Sequence, residues 1–108
     1  MTKLSINTFQ RVMLINIVGA IEGNAAIVRK AVKLLEALDM TEAEKELVGM
    51  KQTGNQINWL PEHEDHLWEI ELKDPDPAAL LKEKLKAQSF SALVGRKMLA
   101  VYDQLDIE

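Results

Sequence analysis

The stretch from Gln56 to Lys73, QINWLPEHEDHLWEIELK, constrains the fold more than any other part of the chain. On either side of it, apolar residues recur every three to four positions, as on a helix face. Within it they recur every second position. Trp68, Ile70 and Leu72 alternate with Glu69, Glu71 and Lys73, and Ile57 and Trp59 flank Asn58. That period belongs to a strand with one face on a core and one face in water. A small sheet must therefore lie against helices. The two runs predict an antiparallel hairpin with Trp59 and Trp68 as neighbours on one face, where aromatic packing supports pairing. Met50–Gln52, ahead of the Thr53-Gly54-Asn55 turn, is a candidate third strand. The connection Pro61–Asp65 is polar and acidic.

The flanking segments read as helices. Phe9, Val12, Met13, Ile17, Ala20 and Ile21 share one helical face within residues 5–22, and Leu14, Ile15 and Val18 fill the other side. Ser5 or Asn7 can cap that helix. The run Val12–Val18 also reads as a buried strand, but the pattern outlasts a usual strand, which favours the helix. Gly23 suits the left-handed position after a helix end, and Asn24 suits the cap of the next helix, Ala25–Leu38. Thr41 and Glu44 have capping-box spacing, and Gly49 is expected to end the short helix that follows. Asp74-Pro75-Asp76-Pro77 breaks the chain. Asp76 is the expected cap there, and Pro77 the first residue of a helix running to Gln88. Ser89 or Ser91 opens the last helix, whose inward face is Phe90, Val94, Met98, Val101, Tyr102 and Leu105.

Charge narrows the partner class. The net charge of −4 is uneven: residues 41–73 hold three basic and eight acidic side chains. A phosphate backbone is repelled by such a region, so nucleic acid is a disfavoured partner there. The order helix, helix, short helix, hairpin has a winged-helix-like outline, which makes a DNA-binding regulator the alternative reading. However, the recognition position would read EAEKELV and the wing would carry the acidic turn. DNA contact would then fall to Lys82, Lys84, Lys86, Arg96 and Lys97, which equally suit a solvated helix surface.

Glu62, His63, Glu64, Asp65 and His66 gather imidazole and carboxylate donors, a chemistry suited to zinc, nickel or manganese. The H-x-x-H spacing is not the one-turn helical spacing of a metalloprotease, and no nucleophile or oxyanion holder lies nearby in sequence. A solvated acidic turn is the stronger reading, with His63 and His66 as the metal candidates and a hydrolase as the last alternative. No cofactor motif is present: Gly19–Asn24 follows an apolar run but lacks the lysine and Ser/Thr of a phosphate-binding loop. The chain has no cysteine, which fits a reducing cytoplasm. No leader peptide or membrane span is expected, because the longest apolar run, Val12–Ile21, is short and interrupted.

Several features together resemble small proteins encoded by bacteriophages and prophages. They are an apolar first helix ending in Glu22-Gly23-Asn24, the amphipathic second helix, the Thr41-Glu-x-Glu start, Ile57-x-Trp59, and the strand Glu69-Ile70-Glu71-Leu72. The likeness spans roughly residues 8–105. The double Asp-Pro and the His-Glu-Asp-His turn depart from it. The resemblance offers no catalytic residue to carry over, and it implies a bacterial cytoplasmic setting and a non-enzymatic role.

The expectation is one α+β domain over residues 1–108, with about five helices and a two- or three-stranded antiparallel hairpin. Its expected role is to bind a basic protein partner without a cofactor. The partner-binding residues would be Glu62, Glu64, Asp65, Trp68, Glu69 and Glu71. Trp59 is expected in the core, while Trp68 can serve either as core or as an exposed anchor. A homodimer through the apolar last helix is also expected.

Overall fold

A computed structural model describes residues 2–53, 56–105 and 107. The fold is α+β. Strand β1 (Thr2–Asn7) runs directly into α1 (Thr8–Gly19), followed by α2 (Ala25–Leu38), α3 (Glu42–Leu47), β2 (Lys51–Thr53) and β3 (Gln56–Asn58). A 3-10 turn at Pro61–His63 leads to β4 (Leu67–Leu72), α4 (Pro75–Ala87) and α5 (Ala92–Gln104). The hairpin that follows α3 is β2–β3, not one closed by the acidic turn, so Pro61–Asp65 is not the tip of a wing.

Side-chain caps set most of these boundaries. Asn7 ends β1 in extended backbone and accepts from the Gln10 N–H at 2.8 Å, while Gln10 Oε1 accepts from the Asn7 N–H at 2.9 Å. This reciprocal pair satisfies amides that the first helical turn leaves free. Asn24 caps α2, Thr41 and Glu44 form the capping box of α3, and Ser91 caps α5. Gly49 takes a φ of +64° just after α3, and a Cβ there would stand 2.7 Å from the Leu60 side chain. Only glycine tolerates both conditions.

Three expectations are corrected here. Gly23 is not left-handed: α1 already ends at Gly19, and Ala20 forms its C-cap. Helix α4 starts one Asp-Pro earlier than expected, with Pro75 as its first residue after Asp74. The pairing of Ile57–Trp59 with Trp68–Leu72 is not formed. Instead β3 pairs with β2, and β4 pairs antiparallel with β1, placing Leu4 opposite Ile70 and Ile6 opposite Trp68. The cause lies in the connection. Leu60 N–H donates to Val48 O and Pro61–His63 coils into the turn, so the chain leaves the hairpin before reaching β4. The β1 strand KLSIN has the matching alternation, with Leu4 and Ile6 turned inward.

The inner faces of β1 and β4 close one apolar cluster with Leu14 and Val18 of α1, Leu34 and Leu38 of α2, Leu81 and Leu85 of α4, and Met98 and Val101 of α5. Burial of these side chains is the main favourable term in folding. Among the described residues, one cation enters this layer. Arg11 is 3% exposed. Its Nε donates to Leu38 O at 2.7 Å and its Nη2 to Asp39 O at 2.8 Å. Its Nη1 pairs with Glu44 Oε2 at 3.1 Å. Arg11 therefore ties the carbonyl end of α2 to α1 and α3, where a helix favours positive charge.

Candidate functional site

β4 supplies the rigid element of the site. Its side chains alternate, with Leu67, Glu69 and Glu71 exposed and Trp68, Ile70 and Leu72 buried. On β1 the outward partners are Asn7, Ser5 and Lys3 in turn. Trp68 is corrected from the expected list of contact residues, because it belongs to the core. Its indole Nε1 donates to Thr8 Oγ1 at 3.1 Å, and the Arg11 guanidinium lies 5.0 Å from the ring centroid. A tryptophan buried with its N–H paired fixes the strand rather than meeting a partner. Trp59 is half-buried and meets Phe9 edge-on, with centroids 6.5 Å apart. The two tryptophans therefore lie in separate environments.

Thr8 also fixes the acidic turn. Its hydroxyl donates to His63 O at 3.2 Å while accepting from Trp68, and its N–H donates to Glu64 O at 3.1 Å. The first residue of α1 thus pins both the turn and the strand that follows it. Glu62 and Asp65 project into water, and Glu64 is half-buried. Exposed Leu67 and the carboxylates of Asp65, Glu69 and Glu71 follow one another along this segment. Among the described residues, Glu64, Asp65, Glu69 and Glu71 have no ion pair.

The metal candidates are dispersed. His63 Nε2 lies 3.8 Å from Glu62 Oε1, whereas His66 packs edge-on against Trp68 with centroids 4.4 Å apart. Among the described residues, no three His, Asp or Glu side chains converge on a point that could hold a metal ion.

Glu44 of α3 is engaged by Arg11 and by its own capping box. Burial, the largest single influence, pushes its pKa up, but hydrogen bonds from the Thr41 N–H and Arg11, with the charge of Arg11, hold it below the ordinary value of 4.5. Of the basic residues considered for DNA, Lys82 and Lys84 are half-buried on α4, and Lys86, Arg96 and Lys97 are exposed. Lys97 Nζ rests 4.6 Å from the Phe9 ring centroid. The face of α5 considered for self-association is turned inward: Met98, Val101 and Leu105 are buried, and Leu93 and Leu99 are what it leaves exposed.

β1, Thr8, Arg11 and Gln104, whose side-chain amide pairs with the backbone of Ser5, escaped the sequence reading. The signal for β1 was the short alternation from Lys3 to Asn7, which runs into a helix without a break. Gln104 carries no signal of its own. Its role depends on α5 lying beside β1. Among the described residues, no helix is long and apolar enough to cross a membrane. No protein-family model, curated protein or solved structure matches the chain.

Proposed function

We propose that this chain is a small non-enzymatic interaction protein, binding a basic protein partner through the outer side of β4 and the turn before it. One observation carries the reading: Asp65 in the turn and Glu69 and Glu71 on β4 are exposed and, among the described residues, have no ion pair, and they flank exposed Leu67 on a strand anchored from below by Trp68. Charges held on a rigid element select an oppositely charged partner and speed encounter, and an adjacent apolar side chain gives it a place to desolvate. Glu62 and Glu64 extend the negative surface around the turn. Trp68 acts here as a positioning residue. The resemblance to phage- and prophage-encoded proteins supports a bacterial cytoplasmic setting and a host or phage protein as partner.

The test compares two baits in one bacterial lysate: the native chain and a variant carrying E62Q, E64Q, D65N, E69Q and E71Q. The expected result is a basic protein retained by the native chain, released as salt is raised, and absent from the variant, while both baits show the same helical circular dichroism. Equal capture by both baits would refute the reading. Duplex DNA retained by the native chain and lost on changing Lys82, Lys84 and Lys86 would replace it with the regulator reading.

A further inference from the structure

The β1–β4 sheet is two strands wide, and its backbone shows which groups each strand turns outward. On β1, the Ser5 N–H donates to Gln104 Oε1 at 2.7 Å, and Gln104 Nε2 donates to Ser5 O at 2.8 Å. Ser5 therefore directs both backbone groups away from its partner, Glu69. In an antiparallel pair such a position alternates with bonded ones, and its partner also turns its own groups outward. The N–H and C=O groups of Leu67, Glu69 and Glu71 thus line the far edge of β4. Among the described residues, none of these six groups has a hydrogen-bond partner in the chain.

A groove lies along part of that edge. It holds about 390 Å³ between Glu71, Leu72 and Lys73 on one side and Lys33, Leu34, Glu36 and Ala37 of α2 on the other. Lys33 is held by Asp74 at 3.4 Å. An edge with free donors and acceptors is a template for another strand, and extended peptides bind by adding themselves to such edges.

We propose that the β4 edge accepts an extended segment of the partner as a third strand. Basic residues at alternate positions of that segment face Glu69 and Glu71, and small or apolar residues between them face α2. The proposal rests on the reading of β4 as a protein-binding surface and adds the mode of binding. Cross-strand pairs of opposite charge favour the incoming strand, and like charges opposite one another disfavour it. The same rule argues against a second copy of this chain. Any two-fold antiparallel pairing that overlaps at least two of the outward positions sets a glutamate against a glutamate or against Leu67.

The probe is a synthetic heptapeptide alternating lysine and valine, added to the full chain at low salt. Two controls are the same composition with the lysines contiguous, and the alternating peptide N-methylated on its edge-facing residues. The expected result is binding about tenfold tighter for the alternating peptide than for either control. It should also slow amide exchange at Leu67, Glu69 and Glu71. Among protein variants, E69Q tests the charge and E69P tests the edge donor, since proline is tolerated on an edge whose N–H faces outward. E69P should weaken binding roughly fivefold beyond E69Q. If E69P does not fold, the N-methylated peptide decides alone on the native chain.

Equal binding of all three peptides, with exchange unchanged, would overturn strand addition and leave the acidic-surface reading standing. No binding of any of the three would remove both. Protection of the same three amides in a peptide-free dimer would overturn the proposal in favour of self-pairing.

Discussion

The two edges of the β1–β4 sheet are finished in opposite ways. On β1, the Gln104 side chain imitates a neighbouring strand, giving Ser5 both an acceptor and a donor. On β4, the corresponding groups of Glu69 face outward on an edge that borders a groove at Glu71, and alternating carboxylates mark the strand. A two-stranded sheet is marginal by itself and depends on the helices beneath it. Its edges are therefore free to differ, since stability comes from the buried face. The edge closed from within the chain carries neutral Ser5 at its centre. The edge left open carries the charges that discourage indiscriminate pairing.

The largest expected effect tests the shared foundation of both edges. Trp68→Ala removes a buried indole, its hydrogen bond to Thr8 and the ring under Arg11, and should cost about 3–5 kcal/mol in urea denaturation. Amide protection should fall on β1 and β4 together. Loss confined to β4 would show that the two strands do not share one support.

Next in size is Gln104→Ala, which should cost about 1–2 kcal/mol for the two hydrogen bonds lost. The Ser5 amide should then exchange as readily as that of Glu69, which stays unchanged. A Ser5 amide that remains protected would show that something other than Gln104 closes the β1 edge.

The smallest effect asks how far below the sheet the bracing reaches. Glu44 holds Arg11, which stacks on Trp68. Because the folded Glu44 pKa lies below its ordinary value, its contribution is fully present above pH 4.5 and is lost as pH falls through the lower folded value. Glu44→Gln should cost roughly 1 kcal/mol or less near neutrality, since the side chain is partly solvated, and should flatten the acid limb of the stability profile. Parallel urea titrations of both proteins across the acid range read this directly.

How much of the molecule can be read from its sequence depends on the range of each interaction. Asn24, Thr41 with Glu44, and Ser91 act within three residues, and each stands where its spacing predicts. Gly49 is equally local. Asp-Pro-Asp-Pro offers two registers for one helix start, and the structure uses the earlier. Strand pairing is non-local. The pattern of Leu67–Leu72 establishes a half-buried strand, but nothing within it states that its partner lies at Thr2–Asn7 rather than at Gln56–Asn58. The same gap hid the open edge. Glu69 and Glu71 are legible as exposed carboxylates, whereas the direction of their backbone groups follows only from the pairing with β1 and the position of Gln104.

The Gln104–Ser5 contact also bears on the order in which the molecule comes together. It joins positions 99 residues apart, and the β1–β4 ladder joins Ile6 to Trp68. Helices of this kind form from neighbours in the chain, whereas these closures require segments distant in sequence to meet and pay loop entropy first. A mostly helical protein of this size would otherwise fold rapidly. Here the rate should be set by capture of the first strand, a closure that the α5 glutamine then holds in place.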